Sequence, residues 1–152
     1  MNYHIDIQQG SNYLVPVSDE QLTNWGVLAL SQAKEAAEIT IRLVDVDEIT
    51  RLNTTYRNQN KPTNVLAFPI ELPQIITLEI PLVGDVIICP EVLQQESEHL
   101  GIPLQAHWAH IVIHGVLHLL GYDHIEAQDA AIMQPIEVAL LKQLGFENPY
   151  ER

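Results

Sequence analysis

The stretch Leu104-Gln105-Ala106-His107-Trp108-Ala109-His110-Ile111-Val112-Ile113-His114-Gly115-Val116-Leu117-His118-Leu119-Leu120 decides how the rest of the chain is read. Trp108, Ile111, Val112, Ile113, Val116, Leu117, Leu119 and Leu120 occupy most sides of a helical wheel, so the stretch predicts a long helix lying in the core rather than on the surface. Such a helix must be covered by other elements on nearly all sides. Upstream, Gly101-Ile102-Pro103 separates it from a helix over Glu91 to Leu100, which Pro90 is well placed to open. Gly84 to Cys89 reads as a strand, and the lone Cys89 in its apolar run predicts a small buried thiol. Pro73 to Pro81 reads as a loop or an edge hairpin.

Further upstream, Asn64 to Ile70 is an apolar strand that resumes after the break at Lys61-Pro62, because proline disfavours helical geometry in the residue before it. Asp45 to Tyr56 predicts a helix with an acidic start, and Arg57 would lie at its end. Ile39, Ile41 and Leu43 alternate with Thr40, Arg42 and Val44 as a half-buried strand does. Ser18-Asp19-Glu20-Gln21 has a capping-box layout, and Leu22, Trp25, Leu28 and Ala29 then recur at helical spacing, predicting a helix to about Ala36. Tyr3 to Ile7 alternates as a first strand. Downstream, Glu126 to Leu144 predicts a last helix, ended by Gly145. Strands and helices are interspersed without strict alternation, so the fold class read here is α+β: helices on a mixed β-sheet, with one buried helix carrying histidines.

A chain of 152 residues with 47% hydrophobic content can bury one core but not two, so residues 1–152 are read as a single domain. The N-terminus lacks the charged-then-apolar layout of a secretory signal and no stretch reaches membrane-span length, which predicts a soluble cytoplasmic protein with no membrane partner. Seven Lys and Arg against twenty Asp and Glu give a net charge of −13, unlike a generic nucleic-acid binder. The exception is positions 49–70, which hold Arg51, Arg57 and Lys61 without a single Asp or Glu. A polyanion would have to dock there.

Five of the seven histidines fall between positions 107 and 124. His114 and His118 are four apart on the predicted helix, so their Cβ atoms lie roughly 5–6 Å apart on one face and two imidazoles can converge on one ion. Gly121 can take the left-handed conformation that ends a helix and turns the chain back, so that His124 reaches the same metal. The pattern His-x-x-x-His-x-x-Gly-x-x-His thus supplies three nitrogen ligands and leaves a fourth tetrahedral position for water, the arrangement of a catalytic zinc site with one zinc per chain. His110, one turn before His114, is read equally as an outer partner of the metal site or as core. His107, His4 and His99 are read as structural, and Met133 as core. In peptidases with His-Glu-x-x-His the glutamate is the general base; here Gly115 holds that position, which weakens a peptidase reading and suggests close approach of backbone or substrate to the helix. Asp123 and Glu126 are nearby carboxylates that either replace that base or are solvated loop acids.

Leu52-Asn53-Thr54-Thr55-Tyr56-Arg57, Lys61-Pro62-Thr63-Asn64-Val65-Leu66-Ala67-Phe68-Pro69, Gly84-Asp85-Val86 and His110 to His124 resemble, in order and spacing, the YbeY family of bacterial ribosomal RNA maturation factors. The closing Leu144-Gly145-Phe146 and Pro149-Tyr150 are similar to that family's end. Ala67 stands where a serine is usual and Asn64 where an aspartate is common; both exchanges are small and away from the histidine motif. The resemblance implies a zinc-dependent single-strand endoribonuclease acting in small-subunit 16S ribosomal RNA 3′-end maturation and in ribosome quality control. It also implies cytoplasmic location and, as partners, ribosomal RNA, the small ribosomal subunit and a ribosomal protein. Within it, His114, His118 and His124 bind zinc and Arg57 is the catalytic or RNA-contacting arginine. From the residues alone, Arg57 reads better as a surface arginine in a weak ion pair. Two other functions compete: a non-catalytic ribosome-assembly factor with a structural zinc, which the open coordination position disfavours, and a metallopeptidase, which Gly115 disfavours.

Overall fold

The computed structural model describes residues 2–70, 80–122 and 127–151, without the side chains of 127–129. The loop or edge hairpin expected at Pro73 to Pro81 lies outside these residues except for Ile80 and Pro81, and Asp123, His124 and Glu126 lie outside them altogether. The described elements are β1 (Asn2–Gly10), α1 (Asp19–Leu30), β2 (Ala36–Val44), α2 (Val46–Arg57), β3 (Val65–Pro69), β4 (Leu82–Ile88), α3 (Pro90–Leu100), α4 (Leu104–Leu119) and α5 (Ala127–Gln143). The strands form one sheet in the order β1-β2-β4-β3. β1 and β4 both run parallel to β2, while β3 runs antiparallel to β4. This is the mixed sheet with packed helices expected from the sequence.

Alternation along β2 divides the core between the two faces. Ala37, Ile39, Ile41 and Leu43 are fully buried with Val86 and Ile88 of β4 against α1 and α4, forming the main core. A smaller cluster of Val44, Ile49, Leu66, Ile87 and Cys89 lies with α2. α4 packs on β3, β4, α1, α3 and α5 together, and Trp108, Val112, Ile113, Val116 and Leu117 have no exposed surface. A helix apolar on most sides is stable only when enclosed in this way.

α1 begins as expected: the Ser18 hydroxyl accepts from the Gln21 amide while the Gln21 side chain accepts from the Ser18 amide. It ends earlier than predicted. Ser31 caps it, and Ala36, taken from sequence as the last helical residue, instead opens β2 opposite Asn2. The alanines between 33 and 37 favour helix intrinsically, but the pairing with β1 and the complete burial of Ala37 outweigh a preference of a few tenths of a kcal/mol per residue.

Gly115 shows why α4 can lie so close to the sheet. A Cβ added there would stand 2.7 Å from Val86 Cγ1 and 3.0 Å from Val65 Cγ2. The close approach anticipated at this glycine is made by sheet side chains. α4 is closed by Leu120 and Gly121: with φ of 100° at Gly121, its amide donates to the His118 carbonyl at 3.0 Å, and the Tyr122 amide to that of Leu117 at 3.1 Å. These two bonds make a Schellman end, as the glycine predicted.

Candidate metal centre and its cleft

A cleft of about 280 Å³ follows β3, which is at the edge of the sheet among the described residues. Its floor is Val65, Leu66 and Ala67; one wall is Asn53 and Arg57 of α2, the other His114, Gly115 and His118 of α4. The structure therefore brings Arg57, His114 and His118 to one cavity. Asn64 and Ala67, remote from the histidines in sequence, line it too.

The α4 wall is organised around a carboxylate. Glu137 of α5 has no exposed surface. Its Oε2 accepts from His114 Nδ1 at 3.0 Å and from His110 Nε2 at 2.8 Å, while its Oε1 accepts from the Tyr150 hydroxyl at 2.8 Å. Burial alone would push this carboxyl up; the hydrogen bonds from His110 and His114, reinforced by their charge, outweigh it and hold the group at about 2. A carboxylate oxygen is the acceptor in this 3.0 Å contact, so the hydrogen bond is made with a proton on His114 Nδ1. Burial, the Glu137 charge and the hydrogen bond together push the Tyr150 phenol well above its ordinary range.

The opposite edge of the His114 ring faces His118, with the two Nε2 atoms 3.1 Å apart. Two nitrogens bound to one tetrahedral ion at ~2.1 Å stand about 3.4 Å apart, so this pair is already near ligand spacing. His110, His114 and Glu137 also offer ring nitrogens and a carboxylate oxygen within 4.8 Å of one another, a group compatible with a metal ion. His114 belongs to both sets. His124, the third expected ligand, lies outside the described residues.

The α2 wall differs. Arg57 occupies the last turn of α2, and Asn58 turns the chain away in the left-handed conformation, φ 56°. The buried Asn53 fastens the following loop, donating through Nδ2 to the Lys61 carbonyl at 2.9 Å. Arg57 is exposed and, among the described residues, makes no ion pair, contrary to the surface pair expected from sequence alone. Asn64 donates through Nδ2 to both Glu96 oxygens at 3.2 and 3.3 Å, and Glu96 Oε1 also bonds His107 Nε2 at 2.9 Å. An aspartate at position 64 would set two carboxylates against each other here, which accounts for the amide.

His107 is thus structural, His4 sits on β1 beside Glu38 at 3.7 Å, and Met133 is fully buried in the core, as expected. His110 resolves as a partner of Glu137. Sequence reasoning missed Glu137 and Tyr150. The signal for Glu137 was available: Met133, Glu137, Leu140 and Leu141 form one helical stripe, and a carboxylate in place of an apolar residue on a buried stripe requires partners.

A family model described as Endoribonuclease YbeY matches residues 7–145. Proteins named Endoribonuclease YbeY from the Corby, Lens and Paris strains of Legionella pneumophila are each 59% identical over 151 residues, covering 99% of this chain and 96% of theirs. The solution structure of TM1509 from Thermotoga maritima shares the fold, with a TM-score of 0.62 at 23% identity, over 97% of this chain and 99% of that one.

Proposed function

This chain belongs to the YbeY family, and from that premise we propose that it is a single-domain, zinc-dependent endoribonuclease that cuts single-stranded RNA in the cleft between α2 and α4. The observation that carries this reading is the convergence of Arg57, His114 and His118 on one cavity. His114, His118 and His124 hold one zinc ion, and the near-ligand spacing of the first two supports this. Zinc bound there supplies a Lewis acid and a water whose pKa falls toward 7.

The protein's own groups do the rest. Glu137 stands behind the His114 ring, 3.0 Å from its Nδ1. Arg57, with no carboxylate partner among the described residues, presents its guanidinium fork to the scissile phosphate and stabilises the negative charge that develops on it. Arg51 and Lys61, which are exposed but do not line the cavity, add positive charge on either side of Arg57 in sequence, and Asn53 holds the loop that carries Lys61.

The substrate in this reading is the 3′ region of small-subunit 16S ribosomal RNA, in maturation and in ribosome quality control in the cytoplasm. The small subunit and a ribosomal protein are the partners. The net charge of −13 supports delivery by a partner, since the chain as a whole repels RNA. Among the described residues no helix is long and apolar enough to cross a membrane. A peptidase reading lacks its base, because Gly115 faces Val86 and Val65 of the sheet.

The test is hydrolysis of single-stranded RNA by the purified protein, with His114→Ala and Arg57→Ala prepared in parallel to exclude a contaminating nuclease. Loss of cleavage in both is expected. Cleavage that survives in His114→Ala would overturn the reading.

A further inference from the structure

The contacts of Glu137 lead away from the cleft to the end of the chain. Tyr150 is 42% exposed, yet its hydroxyl donates at 2.8 Å to a carboxylate with no exposed surface. The ring lies 5.5 Å from that of His110 at 87°, and the hydroxyl is 3.2 Å from His110 Nε2. The Asn148 side chain accepts from the Tyr150 amide at 2.8 Å and fixes the turn that aims the residue inward. One terminal side chain and one histidine therefore saturate the same buried carboxylate that holds His114 Nδ1. A carboxylate so saturated cannot swing, and the imidazole bonded to it keeps its Nε2 directed at His118.

We propose that Glu137 and Tyr150 are positioning residues for the metal centre: Glu137 fixes the tautomer and plane of His114, and the C-terminal Tyr150 locks Glu137, so that docking of the tail sets how tightly the metal is held. This rests on the reading of His114 and His118 as ligands. It assigns Glu137 to the shell behind the ligands rather than to the metal itself. Three donors already occupy its two oxygens, and His114 offers it the nitrogen opposite the one facing His118. Partners of this kind typically change metal affinity 10–100-fold when removed.

The experiment uses the full chain, its Glu137→Gln variant and its Tyr150→Phe variant. Zinc affinity is measured by chelator competition, the visible spectrum after cobalt substitution, and the melting temperature after stripping the metal. Glu137→Gln should bind zinc about 10–100-fold more weakly, and Tyr150→Phe, which keeps the ring and loses only one bond, roughly 3–10-fold more weakly. Cobalt bands should keep their positions in both, and the stripped proteins should melt with the parent.

Equal zinc affinity in all three proteins would overturn the proposal. So would cobalt bands displaced in Glu137→Gln, which would make Glu137 a ligand, or a loss of affinity matched by a loss of melting temperature, which would make the pair merely structural. A parent protein that binds no divalent metal would remove the metal reading itself, and this inference with it.

Discussion

On the α4 wall of the cleft, His114 meets a buried carboxylate on one edge of its ring and His118 on the other, and that carboxylate has further donors in His110 and Tyr150. On the α2 wall Arg57 reaches solvent from the last turn of its helix with no carboxylate beside it among the described residues. The contrast is sharper beside Arg42, whose Nε and Nη2 both bond Glu48, at 2.9 and 3.1 Å. This acidic chain has carboxylates to spare, so an unpaired arginine facing two histidines is a matter of placement. A site for a fixed cation needs its donors aimed before the ion arrives, and hence a surrounding shell. A site for a mobile polyanion needs a cation that no fixed anion neutralises.

Removing a proposed ligand from the ordered wall should have the largest effect. His118→Ala is expected to abolish both stoichiometric zinc and RNA cleavage while leaving the far-ultraviolet spectrum unchanged, since the cleft and not the core loses a side chain. Full metal content by elemental analysis of that variant would break the comparison at its stronger end. Arg57→Ala should come next: by analogy with removal of one charge-stabilising donor, kcat should fall about 10²–10³-fold. Arg57→Lys should recover only part of this, because the ammonium keeps the charge but not the bidentate fork. Zinc content should not change in either. An Arg57 variant that arrives stripped of metal would show the two walls to be one unit.

The ordered wall was the more legible in sequence, for a physical reason. His114 and His118 sit on one helix, where spacing alone fixes their relation, and Gly121 announces the helix end by local stereochemistry. The capping box at Ser18 and the buried Cys89 are local signals of the same kind. Sheet order is not: the insertion of β4 between β2 and β3 depends on pairing between distant segments, and that pairing also converted Ala36 from helix to strand. Glu137 and Tyr150 join the site through tertiary contact across 23 and 13 residues of sequence, beyond any helical spacing. Arg57 had the right chemistry but an ordinary local context, so only the family resemblance pointed to it.

Between the walls lies Gly115, where overpacking and helix propensity act in opposite directions. Alanine should gain roughly 0.5–1 kcal/mol as the better helix former. Its Cβ, however, would meet Val86 Cγ1 at 2.7 Å and Val65 Cγ2 at 3.0 Å, both β-branched side chains on strands and unable to swing aside. Overpacking of this kind costs about 1–3 kcal/mol, so Gly115→Ala should be net destabilised, with a lower urea midpoint at unchanged slope. If α4 yields by moving off the sheet, the histidines move away from Arg57, and cleavage should fall more than zinc affinity does. A variant as stable as the parent would show that the sheet relaxes here and that the walls are not held in fixed register.

The smallest effect expected concerns the salt dependence of the exposed wall. Arg51, Arg57 and Lys61 are exposed and, among the described residues, unpaired, but only Arg57 lines the cleft, so RNA that docks on α2 and the loop after it neutralises at most about three phosphates. For single strands each contact contributes roughly −0.7 to the slope of log K against log salt, which gives about −2 in total. Between 50 and 200 mM salt, affinity should then fall only about 20-fold, far less than for a basic nuclease. Arg57→Ala should flatten the slope by about 0.7, and His118→Ala should leave it nearly unchanged if the histidine wall acts on the phosphate only through its metal. Equilibrium binding of a short single-stranded RNA across a salt series, in metal-free buffer, separates the two walls. A slope several units steeper would reveal a basic surface beyond α2, and equal flattening in both variants would mean that phosphate binding is shared across the cleft.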